Sequence, residues 1–310
     1  MRYTPLPSEL TARSFSLADA AAAGVGRARL RSADIGHPFH GVYTAGLADD
    51  EEDRCRALAP TLEVDEWFSH LTAARLYRMP LPAFAQHENA VHVTSVGTDD
   101  RVRRAGVTGW RVLERPPSRR WENGVRIVAP ADVWASLSVR SALRPGATLS
   151  TEWLVAIGDF LVSGERTDAG RAPALCTLAE LEAAADRRNG KRGAKALRVA
   201  VAAVRHPVDS VKETFLRLGL VGCGLPEPEV QLPVETAQGL RHADLGYRRE
   251  RLLLEFQGDE HRTSRARWLA DLTRVQLLQD AGYRVMLIGD ADLVPDCRAL
   301  AARVRRALTC

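Results

Sequence analysis

The chain has 310 residues, 45% of them apolar and 26% charged, and a formal net charge of +4. That length fits two or three domains with real cores, and no apolar run reaches the roughly 18 residues a membrane-spanning helix requires. No basic segment followed by an apolar stretch opens the chain, so a cytoplasmic location is expected.

The five cysteines are Cys55, Cys176, Cys223, Cys297 and Cys310. None forms a CxxC pair or lies near a histidine at zinc-ligand spacing, the pattern of free thiols in a reducing compartment. Lysine occurs only at Lys191, Lys195 and Lys212. The basic residues are therefore almost all arginine, whose guanidinium forms the bidentate contacts that phosphate prefers. This permits a nucleic-acid partner without requiring one.

In chain order, residues 1–48 read as a winged-helix-like unit. Ser16 is placed to cap a helix through Ala23 that Gly24 and Gly26 end. A short helix from Arg27 to Ala33 carries Arg27, Arg29 and Arg31, and Pro38–Thr44 reads as a turn and strand. An arginine-bearing helix beside a wing suits a DNA groove, although the same face could simply be solvated. Residues 49–185 read as a mixed α/β segment. Its expected helices are Phe68–Tyr77, with Ser69 as cap, Pro130–Leu137 and Thr151–Val162. Its expected strands are Val91–Thr94 and Val125–Val128. His70 is either functional or an ordinary packed or capping histidine. Residues 186–207 begin with a basic, glycine-bearing break, Asp186–Gly193, expected to be a linker.

Residues 208–310 show a regular pattern. Ser210 and Glu213 form a Ser-x-x-Glu capping box. Strands are expected at Glu229–Val234, Arg241–Tyr247 and Arg251–Gln257, then a helix Thr263–Ala281 and a strand Tyr283–Ile288. A tight turn centred between Arg249 and Glu250 pairs Asp244 with Glu255, so their Cβ atoms should lie about 4.5–5.5 Å apart. Period two adds Gln257 to that face and sends Leu252, Leu254 and Phe256 to the other. Opposed carboxylates repel unless a cation lies between them. Mg²⁺ or Mn²⁺, bound by Asp244 and Glu255, has matching oxygen chemistry; the alternative cation is Arg241, Arg251 or Arg274.

The order of arginine-rich helix, Gly41-Val42-Tyr43 wing and Ser69-His70-x-Thr72-Ala73-Ala74 helix resembles the AbiEi-type antitoxin family of transcriptional regulators, over about half the chain. The resemblance implies an N-terminal winged helix that binds DNA and a cognate toxin as a partner. The segment Leu254-Glu255-Phe256-Gln257-Gly258-Asp259-Glu260-His261 resembles the Glu-x-Asp-Gly-x-x-His signature of very-short-patch-repair (Vsr)-like domains, in the PD-(D/E)xK nuclease class. It implies an α-β-β-β-α-β core and Mg²⁺-dependent phosphodiester hydrolysis. Glu213 then matches the first acidic position, Asp244 the second-motif aspartate and His261 the histidine after the third strand. Asp271 and Arg274 match a pair on the following helix. His261 is either a general acid or base near neutral pH or a helix-capping loop residue. Arg274 either pairs with Asp271 or faces the phosphate.

One position departs from the signature. Gln257 stands where a lysine or aspartate is usual, and an amide can orient water or phosphate but cannot be a base. Two functions follow. The first is a DNA endonuclease using Glu213, Asp244, Glu255, Gln257 and His261. The second is a DNA-binding repressor or type IV antitoxin-like regulator whose nuclease fold is silent.

Overall fold

The computed structural model describes residues 4–46, 48, 50–86, 89–97, 102–121, 124–139, 149–167, 170–257, 265–294 and 296–309, and of 265–271 the backbone only. It is a mixed α/β protein of two compact units, Met1–Leu149 with Ala183–Ala194, and Ser150–Glu182 with Lys195–Cys310.

The first unit opens with three short helices, α1 (Ser8–Thr11), α2 (Leu17–Ala22) and α3 (Arg27–Leu30), and a hairpin of β1 (Ile35–Phe39) and β2 (Val42–Ala45). Ser16 caps α2 in a reciprocal capping box with Asp19. Gly24, at φ +75°, supplies the left-handed residue that ends it. α3 is shorter than expected because Arg31 has already left helical geometry.

Next come α4 (Glu51–Leu58), β3 (Glu66–Phe68), α5 (His70–Leu76), α6 (Ala83–Gln86), β4 (Val91–Val96), β5 (Val107–Val112), β6 (Ser118–Arg120), β7 (Arg126–Val128) and α7 (Pro130–Ser136). The strands form one mixed sheet in the order β5-β4-β3-β7-β6. Trp67, Phe68, Val91, Val93, Ile127 and Trp134 are buried in this unit. Ser69 stands at the N-cap position of α5 as expected, but its hydroxyl makes no capping bond; it is engaged by Thr94 instead.

The second unit contains α8 (Thr151–Ser163), a small hairpin of β8 (Arg166–Thr167) and β9 (Gly170–Arg171), most of α10 (Ala194–Ala203), and α11 (Val211–Gly222). β10 (Glu229–Thr236), β11 (Gly239–Tyr247), β12 (Leu252–Phe256), α12 (Arg265–Asp280), β13 (Arg284–Ile288) and α13 (Arg298–Leu308) follow. Helix α9 (Leu178–Asp186) precedes α10, and the boundary between units falls within it.

Two expected boundaries therefore move. α8 belongs with the C-terminal elements because its buried stripe, Leu154, Ile157 and Leu161, needs a partner. Trp153 meets Phe215 of α11 edge-on at 5.1 Å, and Asp159 pairs with Arg217 of α11 at 3.0 Å with both side chains 1% exposed. The basic break after α9, expected as a linker, lies in the first unit. Arg187 there donates two bonds to Asp132, at 3.0 and 2.7 Å.

From α11 onward the order is α-β-β-β-α-β, followed by α13. The sheet runs β10-β11-β12-β13, with the first two pairings antiparallel and the last parallel. Leu216 and Leu220 of α11 and Leu300 and Val304 of α13 share one apolar cluster with Leu252 and Leu254. Leu278 of α12 shares another with Leu253. β12 is thus buried on both sides, which is why Leu252-Leu253-Leu254 runs apolar without alternation.

Candidate functional site

The β11–β12 turn sets the site. Leu245 pairs with Leu254, Gly246 with Leu253 and Tyr247 with Leu252, so the next position opposes Asp244 to Glu255. The backbone N–H of Asp244 donates to Glu255 Oε1 at 3.3 Å, and that of Phe256 donates to Asp244 Oδ2 at 2.8 Å. Two carboxylates are thus tied into a ladder whose neighbouring positions, Ala243, Leu245, Leu254 and Phe256, are all apolar.

On the other side of β11, Val230 pairs with Leu245 and Leu232 with Ala243. This bracket puts Gln231 beside Asp244. Gln231 has φ +45°, a strained value for a non-glycine residue and one that functional sites often retain. Its side chain is buried and donates to Glu213 Oε2 at 2.9 Å. Glu213 is reached from α11, where Ser210 caps the helix through the Glu213 N–H at 3.2 Å. The expected reciprocal box is not formed; the Glu213 carboxylate accepts from Asp209 N–H at 3.2 Å. Gln231 was missed in the sequence, where its only signal was a lone amide among Val230, Leu232 and Val234.

The electrostatics follow from burial. Glu213 is 4% and Glu255 7% exposed. Burial first, then the charge of Asp244, pushes Glu213 up to about 8. Glu255 is pushed up to about 7 by the same two causes and held back by Arg274. Arg274 of α12 lies 3.0 Å from Glu255 and 3.5 Å from Asp244, and donates to the His242 carbonyl at 2.6 Å. The cation beside the carboxylate pair is therefore Arg274.

Among the described residues no three His, Cys, Asp or Glu side chains assemble as a metal cage. The opposed pair still fits a divalent cation. It offers hard oxygens from two carboxylates, the number Mg²⁺ takes when water and phosphate complete its shell. Burial first, and then the charge of Asp244, disfavours the ionised form of both glutamates, a cost that a bound cation would relieve.

Gln257 lies just past β12, exposed, with its N–H on the Ile288 carbonyl at 2.7 Å. His261 and the side chain of Asp271 lie outside the described residues. In the first unit, Arg27 and Arg31 are exposed. Arg29 is not free for DNA: it grips Asp34 with two bonds, at 2.8 and 2.6 Å, and donates to the Thr4 carbonyl at 2.6 Å.

No family model matches the chain, and no solved structure matches it. It is similar to two proteins of Mycobacterium tuberculosis, uncharacterized protein Rv2248 of strain H37Rv and uncharacterized protein MT2308 of strain CDC 1551. Each is 28% identical over 238 residues, which is 76% of this chain and 79% of the relative.

Proposed function

We propose that the second unit is a divalent-metal-dependent endonuclease domain of the Vsr-like PD-(D/E)xK type. The observation that carries this reading is the opposed pair Asp244 and Glu255 beside the left-handed Gln231, which bonds Glu213, on an α-β-β-β-α-β frame. A cation held by Asp244 and Glu255 would polarise a phosphate and lower the pKa of bound water. Glu213, near 8, exchanges a proton close to neutral pH, and Gln231 fixes its orientation. Gln257 lies at the exposed rim, where its amide can orient water or a phosphate oxygen. Arg274 neutralises the pair and supplies a guanidinium for the substrate phosphate.

The three short helices and hairpin of the first unit form a winged-helix-like DNA-binding element in this reading, with Arg27 and Arg31 as phosphate contacts. The protein then acts on DNA in the cytoplasm. A second reading rests on Arg274: with the guanidinium already paired to both carboxylates, the domain is a silent platform on a DNA-binding regulator, paired with a toxin as in AbiEi-type antitoxins. Plasmid nicking with millimolar Mg²⁺ or Mn²⁺ decides between them. Nicking lost in Asp244→Ala supports the nuclease; no nicking by the wild type with either ion supports the platform.

A further inference from the structure

A different cluster, in the first unit, is built almost wholly of hydrogen-bond donors. His92, on β4, is 3% exposed. Its Nδ1 accepts from the Trp110 indole N–H at 3.1 Å, so the ring proton of the neutral imidazole is on Nε2. That Nε2–H is buried and has no partner among the described residues. An orphaned buried donor is destabilising, so its retention calls for an explanation.

The neighbours repeat the pattern. His70 stacks on Trp110 with centroids 4.0 Å apart and lies 6.0 Å from the His92 ring. Its φ of +49° is left-handed, a strain that opening a helix does not need. Thr94 donates to Ser69 Oγ at 2.7 Å, and that hydroxyl lies 2.9 Å from His70 Nδ1. With the Ser69 proton directed to Nδ1, the His70 proton too is on Nε2. Two guanidiniums lie within electrostatic reach of the rings. Burial holds both imidazoles below their ordinary value, helped at His70 by His92 and then Arg188, and at His92 by Arg75. The Nε–H of each arginine is also buried without a partner among the described residues. Arg75 has Glu51 as counter-ion at 2.9 Å. Arg188 bonds the Arg192 carbonyl, at 3.2 Å, and no described carboxylate pairs with it.

We propose that Ser69, His70, His92, Trp110, Arg75 and Arg188 form a binding site for a phosphate group, distinct from the carboxylate site of the second unit. The buried His92 Nε2–H and the Arg75 and Arg188 Nε–H groups, all donors without partners among the described residues, are the complement of an oxyanion. The phosphate is free inorganic phosphate or the phosphate of a mononucleotide, and the two sources share this chemistry.

The test uses the full chain and the fluorescence of Trp110, which the His70 stack makes sensitive to the site. Inorganic phosphate and adenosine monophosphate are titrated separately, against sodium chloride at matched ionic strength. The expected result is a saturable change with one or both ligands that chloride does not give, absent in Trp110→Phe. A response to phosphate alone identifies the free ion, and a tighter response to the monophosphate identifies the nucleotide. Arg188→Gln, at a half-buried position, should raise Kd about tenfold, the loss of one charge-assisted bond. His92→Phe should do the same where it folds. No saturable response in the wild type overturns the proposal, as does an Arg188→Gln protein that binds with unchanged Kd.

Discussion

Replacing Asp244 with Asn tests the electrostatics of the carboxylate site through stability. Glu213 and Glu255 titrate near 8 and 7 in the folded chain, above the ordinary 4.5. Between about pH 5 and 7 the folded state therefore holds up to two protons that the unfolded state has lost. Stability must fall as pH rises through this window, by at most about 3 kcal/mol per pH unit. In a unit of this size that is several degrees in melting temperature per pH unit. His70 and His92 act oppositely: their depressed pKa values mean the unfolded chain binds more protons below about 6.5, so their contribution rises with pH. The difference between Asp244→Asn and wild type cancels that opposing contribution. Asparagine keeps the acceptor for the Phe256 N–H but removes the charge that raises both glutamates. The variant should match or trail the wild type at pH 5 and exceed it in melting temperature at pH 8. Mg²⁺ should stabilise the wild type more at pH 8 than at pH 5, because cation and protons compete for the same oxygens, and should leave the variant unmoved. Melts from pH 5 to 8, with and without millimolar Mg²⁺, measure both effects. A difference between the two proteins that is constant across pH refutes the coupling between Asp244 and the glutamates.

Arg29→Ala should lower the melting temperature of the first unit only slightly, since the bidentate pair it loses with Asp34 is at the surface; the double change Arg27→Ala, Arg31→Ala should leave melting unchanged and weaken DNA binding in a salt-dependent gel shift. Arg217→Met should cost the second unit about 3–5 kcal/mol in urea unfolding, because Asp159, 1% exposed, loses its counter-charge and keeps only the Arg205 N–H and Thr214 hydroxyl as partners. The double change Asp159→Leu, Arg217→Met should recover part of that loss. Gly219→Ala should destabilise the α11–α13 contact, as the added Cβ would lie 2.3 Å from Cys297 Sγ; a melt equal to wild type would contradict that packing.

Local signals in the sequence were enough for most elements of the second unit. Ser210 announced α11, the turn at Arg249 and Glu250 fixed the β11–β12 register, and that register opposed Asp244 to Glu255, because side-chain alternation and hairpin symmetry need only near neighbours. The same locality explains Ser16 and Gly24 around α2. What depends on distant partners was not legible. The choice of cation beside Asp244 and Glu255 required α12, a separate element later in the chain, to bring Arg274 across to them. The left-handed backbone of Gln231 has no composition signal, since glutamine gives no hint of positive φ. Arg29 looked equivalent to Arg27 and Arg31 until the fold set Asp34 against it. The assignment of α8 to the second unit was hidden too: an apolar stripe states that a helix needs a partner, and only the tertiary structure decides which one.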